Sequence, residues 1–538
     1  MGRAAKYLAW AGAGILLTIA AEKPGFSQEI QPVIELPGFS EEPRDLNPPQ
    51  LTLIGPELTE PERMTPGGLA TKAQETAQAN PGQTEADRLF QQGTQQFQAS
   101  QFQAAIAFWQ QALEIYREIG DRVGEAATLE SLGNAHFALS DYEQAISFYE
   151  QYLAIARELD NRVDEGRALE SLGSVYRNLW QYEQTIDFYQ QSLAIARETG
   201  DRDSERRLLN NLGVAHSNLR QFEQAIDFYE QSLTLAQALG NRTDEGVALS
   251  SLGQTYSMLG DHERAIELHE QALAIARETG DRFAEGMALS NLGSVYSKLN
   301  QYEQAIEHYE QALAIAREID DPVGEGIALE NLGDLYNRLG RHQQALEFYQ
   351  QYLAIAQDAD SQADEIHALR KLATNYIFLN QYEQVIEVYE QQLALFAASG
   401  DQDSEGSVLS GLGYAYGELG QYEQAIEFHQ QALAIAQETG RQGRQRIVLS
   451  TIGRVYRELS QYEQAIESFQ QSLAIAQAME NNGLGESLAL CDLGDTYASL
   501  GQHEQAAEFY EQAAEILPSA ACVVSQQVPT SSPYTGDR

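Results

Sequence analysis

A segment opening on Leu-Gly returns at a fixed step of 40 residues and leaves little freedom in how this chain can fold. "LGNAHFALSDYEQAISFY" begins at Leu132, "LGSVYRNLWQYEQTIDFY" at Leu172 and "LGVAHSNLRQFEQAIDFY" at Leu212. The step continues through Leu252, Leu292, Leu332, Leu372, Leu412 and Ile452, and reaches Leu493 after one inserted residue. A weaker copy surrounds Gly93, with Ala105, Trp109 and Ala112 in register, which makes eleven copies over about residues 84–517. A repeat of this size cannot bury its apolar face alone and must stack on its neighbours. The array therefore replaces the several globular domains that 538 residues would otherwise imply.

Each copy reads as two amphipathic helices. Around Leu292, apolar residues at Leu289, Leu292, Val295, Tyr296 and Leu299 follow helical spacing, and Tyr302, Ala305, Ile306, Tyr309 and Leu313 do so again. Between the two sits Asn300, whose equivalents Gly260, Gly340, Gly420 and Gly501 suit a left-handed helix C-terminus. Trp180 and Arg220 fall at the same site and should cost some stability there. After the second helix comes "ETGDR" or a relative, in which Gly ends one helix and Asp can cap the next.

Leu289, Leu292, Gly293, Tyr296, Ala305, Tyr309 and Ala312 together resemble the tetratricopeptide repeat, over roughly four fifths of the chain. That family's usual period is about 34 residues with a late proline. The 40-residue period, almost free of proline, is similar to the longer-helix variant of kinesin light chain and of bacterial arrays, with the extra residues around "ARETGDR". The resemblance implies an all-α fold: a right-handed α-solenoid superhelix of about eleven antiparallel helix pairs. It also implies a non-enzymatic scaffold whose groove takes extended peptides or helices of protein partners. In the bacterial arrays a protease-like domain often follows the repeats, but the "PSAACVVSQQVPTSSPYTGDR" that ends this chain is too short to be one.

The formal net charge is -45, from 79 acidic and 34 Lys or Arg residues. This argues against nucleic-acid binding, which needs basic surface, and favours cationic partners in encounter. Cys491 and Cys522 are too few for a disulfide framework or a four-cysteine metal site. "MGRAAK", the 14-residue apolar run "YLAWAGAGILLTIA" and "EKPGFSQE" have the layout of a secretory signal over residues 1–27. The run is short for a membrane span, so an exported mature form without an integral span is expected, with anchoring by an uncleaved signal as the alternative. Residues 28–83 read as a proline-rich linker, residues 84–517 as the array and residues 518–538 as a disordered tail.

Little of this points to catalysis. Eight of the nine histidines, His136, His216, His262, His269, His308, His342, His429 and His503, stand where an aromatic packs in other copies. No HExxH, GxSxG, phosphate-cradling loop or Cys/His cluster occurs. Paired carboxylates such as those of "YEQAIEHYEQ" recur in nearly every copy, as a solvated face does. The chain reads as no enzyme, with no catalytic residue, metal or cofactor.

Binding is expected on one stripe of the first helices. Numbered from the core Leu, the core takes positions -3, 0, +1, +4 and +7, and the opposite stripe -5, -2, +2, +5 and +6. That stripe is mostly small and polar, as at Ser250, Ser257, Ser290, Ser294, Ser297, Ser410 and Gly417, whereas second helices expose Glu and Gln. First helices should therefore line a groove. Arg370, Lys371, Arg454 and Arg457 flank a copy with Gly411, Tyr414 and Gly417, forming either a pocket for an acidic segment or a solvated face balancing acids. A smaller basic candidate comprises Arg167, Arg177 and Arg207. Asn211, Asn291 and Asn331, at position -1, correspond to asparagines that hold peptide backbone in related arrays, while the cochaperone carboxylate clamp is not reproduced. A final alternative is self-association, because no further helix follows "EQAAEFYEQAAEIL".

Overall fold

The chain reverses direction wherever one residue can adopt a left-handed backbone, and it does so about every 20 residues. Within repeats the sites are Ser100, Ser140, Trp180, Arg220, Gly260, Asn300, Gly340, Asn380, Gly420, Ser460 and Gly501; between repeats they include Gly120, Asp160, Gly200 and Gly240. Trp180 (φ 62°) and Arg220 (φ 57°) hold this conformation without the relief that Gly or Asn provides. On the far side of the inter-repeat turns, Asp121, Asp201, Asp281 and Asp401 accept hydrogen bonds from backbone N–H groups of the next first helix.

The computed structural model describes residues 81–479, 482–517 and 522, which contain 22 helices and, among the described residues, no strand. The expected signal, the linker up to residue 80 and nearly all of the tail lie outside them. Two compact units are formed, with the boundary at Leu332/Gly333. The first unit begins with α1 (Pro81–Gln98) and α2 (Phe102–Ile119), then α3 (Arg122–Ala138) and α4 (Tyr142–Glu158), α5 (Arg162–Asn178) and α6 (Tyr182–Thr199). It continues with α7 (Arg202–Asn218) and α8 (Phe222–Leu239), α9 (Arg242–Leu259) and α10 (His262–Thr279), α11 (Arg282–Lys298) and α12 (Tyr302–Glu318). The boundary falls within α13 (Pro322–Arg338). The second unit holds α14 (His342–Asp358), α15 (Gln362–Phe378) and α16 (Tyr382–Ser399), then α17 (Gln402–Glu418) and α18 (Tyr422–Glu438). It ends with α19 (Gln442–Glu458) and α20 (Tyr462–Ala478), α21 (Gly483–Ser499) and α22 (His503–Ile516).

Odd-numbered helices are the first helices of the repeats, and each packs on its even-numbered partner. The closest approach is at the glycine following the core Leu. A Cβ built at Gly133 would lie 2.5 Å from the Tyr149 ring, one at Gly173 2.6 Å from Tyr189 and one at Gly213 2.5 Å from Tyr229. The ring fills the space a side chain would take, which fixes the spacing of the pair. His269 and His429 substitute for the tyrosine against Gly253 and Gly413, while His136, His216 and His308 stack on Phe148, Phe228 and Tyr296 at 5.1–5.3 Å. Packing between helices thus accounts for these histidines.

Successive repeats are also clasped electrostatically. Glu125 receives Arg117 at 2.7 Å and Arg122 at 2.5 Å; Glu205 receives Arg197 at 2.9 Å and Arg202 at 2.7 Å; Glu285 receives Arg277 at 2.8 Å and Arg282 at 2.5 Å. Burial alone would raise the carboxyl pKa values of Glu205 and Glu285, yet the paired arginines hold both below the usual range. At these joints the residues around "ARETGDR" that lengthen the period therefore tie a second helix to the next first helix.

The last repeat is finished differently. In every other second helix the register of Ile466 and Leu473 carries Ile or Leu at both positions; α22 has Ala507 and Ala514, both exposed. Cys522, just beyond α22, forms a disulfide with Cys491 of α21, a cross-link the two scattered cysteines did not announce. The final helix thus offers no bulky apolar ridge to a further repeat.

Replacing Arg220 by Gly should stabilise the first unit by about 1 kcal/mol, read from the urea midpoint. A second expectation concerns pH. Burial holds the His429 imidazole down at about 4, against about 6.5 in an unfolded chain. The unfolded state therefore binds the extra proton between these values, so the site's contribution is complete above about pH 6.5 and is lost as pH falls toward 4. His429→Phe, which copies Phe469 of the next repeat, removes this loss. Its stability relative to the parent should grow by about 1.4 kcal/mol per pH unit below about pH 6 in urea titrations.

Candidate functional site

First helices of successive repeats touch one another, α7 with α9 and α9 with α11 in the first unit, and α17 with α19 and α19 with α21 in the second. Their stripes at -5, -2 and +2 therefore run side by side. In the first unit this produces a cleft of about 250 Å³. Val247, Ser250 and Gln254 of α9 line it, with Phe283, Met287, Ser290 and Asn291 of α11 and Ile327 of α13; Ile275 of α10 and Ile315 of α12 contribute from the second helices. Val247, Met287 and Ile327 are all half-buried and occupy position -5 in three consecutive repeats. The stripe is thus small and polar at -2 in α9 and α11, with Ser250 and Ser290, but aliphatic at -5 in α9, α11 and α13.

Polar groups mark the cleft's edges. Asn291 Nδ2 donates to Ser250 Oγ at 3.2 Å, a bond between neighbouring first helices. Asn210, which also lines the cleft, is 5% exposed, and its Oδ1 accepts no hydrogen bond. Asp281 caps α11, and Arg282 is taken up by Glu285 and Glu318. No group of three or more His, Cys, Asp or Glu among the described residues has a metal-holding arrangement.

A smaller cleft of about 60 Å³ lies nearer the N-terminus and includes Arg167, Glu170, Ser204 and Arg207. Arg207 donates to both oxygens of Glu170 at 2.7 and 2.8 Å, and Arg167 lies 3.3 Å from Asp164 and 3.6 Å from Glu130. The structure brings Arg167 and Arg207 together in this cleft, each facing acids. Arg177 lies elsewhere, near Tyr182, whose hydroxyl burial pushes up to about 12 while Arg177 draws it down. Asn211 is buried, Asn291 and Asn331 are half-buried, and of the three asparagines Asn291 is the one that lines the larger cleft.

In the second unit the basic residues have partners within the array. Lys371 Nζ donates to Asp334 at 2.6 and 2.8 Å and lies over the Tyr349 ring at 5.9 Å. Arg370 Nη2 is 2.8 Å from His367 Nδ1. Arg454 reaches Asp492 through Nε and Nη2, both at 3.2 Å, and Arg457 Nη1 lies 3.9 Å from Asp492 and 3.6 Å from Asp495. Burial pushes the Asp492 carboxyl pKa up while both arginines oppose it. Tyr414 packs edge-on to Tyr382 at 6.1 Å, and burial raises its hydroxyl pKa. The room at Gly411 is taken: a Cβ there would be 2.6 Å from the Tyr389 ring. Sequence reasoning missed the aliphatic cleft, although Val247, Met287 and Ile327, 40 residues apart on the right stripe, would have revealed it.

Comparison with known families matches the Tetratricopeptide repeat over residues 88–158, 164–238, 206–278, 284–358, 364–438 and 444–519. Comparison with curated proteins finds no match. Among solved structures, the chain is similar to BtubC (BKLC) from P. vanneervenii, at 22% identity over 44% of this chain and 98% of that one, with a TM-score of 0.35. It is also similar to a putative kinesin light chain with nearly identical TPR-like repeats from Podosopora anserina, at 25% identity over 35% and 92%, TM-score 0.32. A further likeness is to aspartyl phosphate phosphatase F from Bacillus subtilis, at 14% identity over 68% and 96%, TM-score 0.40. With matches running through nearly every helix pair described above, the chain belongs to the tetratricopeptide repeat family.

Proposed function

We propose that this protein is an exported, non-enzymatic scaffold that holds a peptide or helical segment of a protein partner against its first helices, at the α9–α13 cleft. The observation that carries this is the aliphatic row of Val247, Met287 and Ile327, half-buried and lining one cleft, in an otherwise strongly acidic array. Half-buried aliphatics gain by further burial, and hydroxyls and amides at the edge can orient a polypeptide. The histidines that pack between helices and the arginines taken up by ion pairs are engaged structurally, which supports a binding role over catalysis.

Two observations support export. The basic start and apolar run of residues 1–20 have the composition of a secretory signal. The Cys491–Cys522 disulfide is of a kind that persists in oxidising compartments. Anchoring through the uncleaved run would keep the array on the same side of the membrane; no helix among the described residues is long and apolar enough to cross one. Self-assembly through the last repeat is not favoured, because Ala507 and Ala514 stand where other repeats present Ile and Leu.

A photo-reactive residue placed at Met287 should capture a partner polypeptide in the native envelope, whereas the same residue at the exposed Glu307 of α12 should not. Equal capture at both positions, read by mass spectrometry of the cross-linked peptides, would overturn the assignment.

A further inference from the structure

Resting on the scaffold reading, we propose that the segment seated in the α9–α13 cleft is aliphatic and flanked by Lys or Arg. The apolar half follows from position -5. It carries Arg167 and Arg207 in the repeats before the cleft and His367 and Ser407 in those after it; aliphatic residues return as the pair Ile447 and Leu488 in the last two repeats, but only Val247, Met287 and Ile327 make a run of three. An occupant must offer apolar side chains there, since a charged or strongly polar one would be desolvated without compensation.

The basic half follows from the net charge of the helices that form the cleft. Residues 241–332 hold 17 acidic and 6 basic side chains. All six basic groups are engaged internally: Arg242 with Glu245 and Glu278, Arg264 with Glu267, Arg277 and Arg282 with Glu285, Arg317 with Glu325, and Lys298 with Ser257 Oγ at 3.0 Å. The uncompensated field is therefore negative, which speeds encounter with a cationic flank and repels an acidic one. Asn210 Oδ1, an acceptor without a donor at the cleft, fits the same occupant, because a Lys, Arg or backbone N–H can supply what is missing.

The test uses the purified full chain and three labelled peptides in fluorescence anisotropy: a Leu/Ile core flanked by lysines, the same core flanked by glutamates, and the lysine-flanked peptide with serines in the core. The first should bind about tenfold more tightly than the second at low salt, with the gap closing at high salt. The serine-core peptide should lose most of the affinity. In the double variant Met287→Ser/Ile327→Ser, shown folded by circular dichroism, affinity for the first peptide should fall by about fivefold or more. The inference is overturned if the glutamate-flanked peptide binds as tightly, if the serine core binds equally, if neither Leu/Ile peptide binds, or if the double variant is unaffected. Each of these results leaves the cross-linking outcome at Met287 untouched, so the scaffold reading stands or falls separately.

Discussion

The contact on which the array depends is a single ring against a single glycine. In every repeat but the eighth the second helix pushes an aromatic side chain into the place where the first helix lacks a Cβ. At Gly93 the ring is Trp109, at Gly293 Tyr309, at Gly333 Tyr349, at Gly453 Phe469 and at Gly494 Tyr510. Close packing at this point sets the distance within the pair, and every other contact inherits it. Tyrosine adds a polar tip, which reaches position +2 of the first helix at Asn134, Ser174, Asp334 and Asp495. Where +2 is Gln254 or Tyr414, the ring is the shorter His269 or His429.

The exception shows what the contact requires. In the eighth repeat the glycine is replaced by Ala373, and the Tyr389 ring instead abuts Gly411 of the following first helix. The missing Cβ has moved one repeat along. Gly411 is consequently a packing device and not an opening in a groove, although its small size gave it the look of one in the sequence.

Charge is handled by the same neighbour-to-neighbour logic. Glu125, Glu205 and Glu285 bridge the end of one second helix and the start of the next first helix, and each collects two arginines. Lys371 with Asp334, Arg207 with Glu170 and Arg454 with Asp492 link first helices of adjacent repeats. A chain with 79 acids and 34 Lys or Arg thus spends much of its positive charge on its own joints. What it presents outward is negative, and in the α9–α13 region that field surrounds an apolar floor.

The sequence by itself determined the helices, their pairing and their ends. Helical period, the Leu-Gly step and the left-handed turn residues are local properties, legible one repeat at a time; even the strained sites at Trp180 and Arg220 were visible. It also distinguished the stripe of the first helices that faces away from the core, because helical angle alone separates that stripe from the core. Only the tertiary structure decided which residues on the stripe remain available. Arg454 and Asp492 are 38 residues apart, Lys371 and Asp334 37, and whether such pairs meet depends on the offset between adjacent repeats, which the packing of each second helix on the next first helix sets. The same offset brings Val247, Met287 and Ile327 alongside one another. A one-dimensional pattern gives the direction of each side chain from its own helix, whereas ion pairing and cleft formation depend on distances between helices.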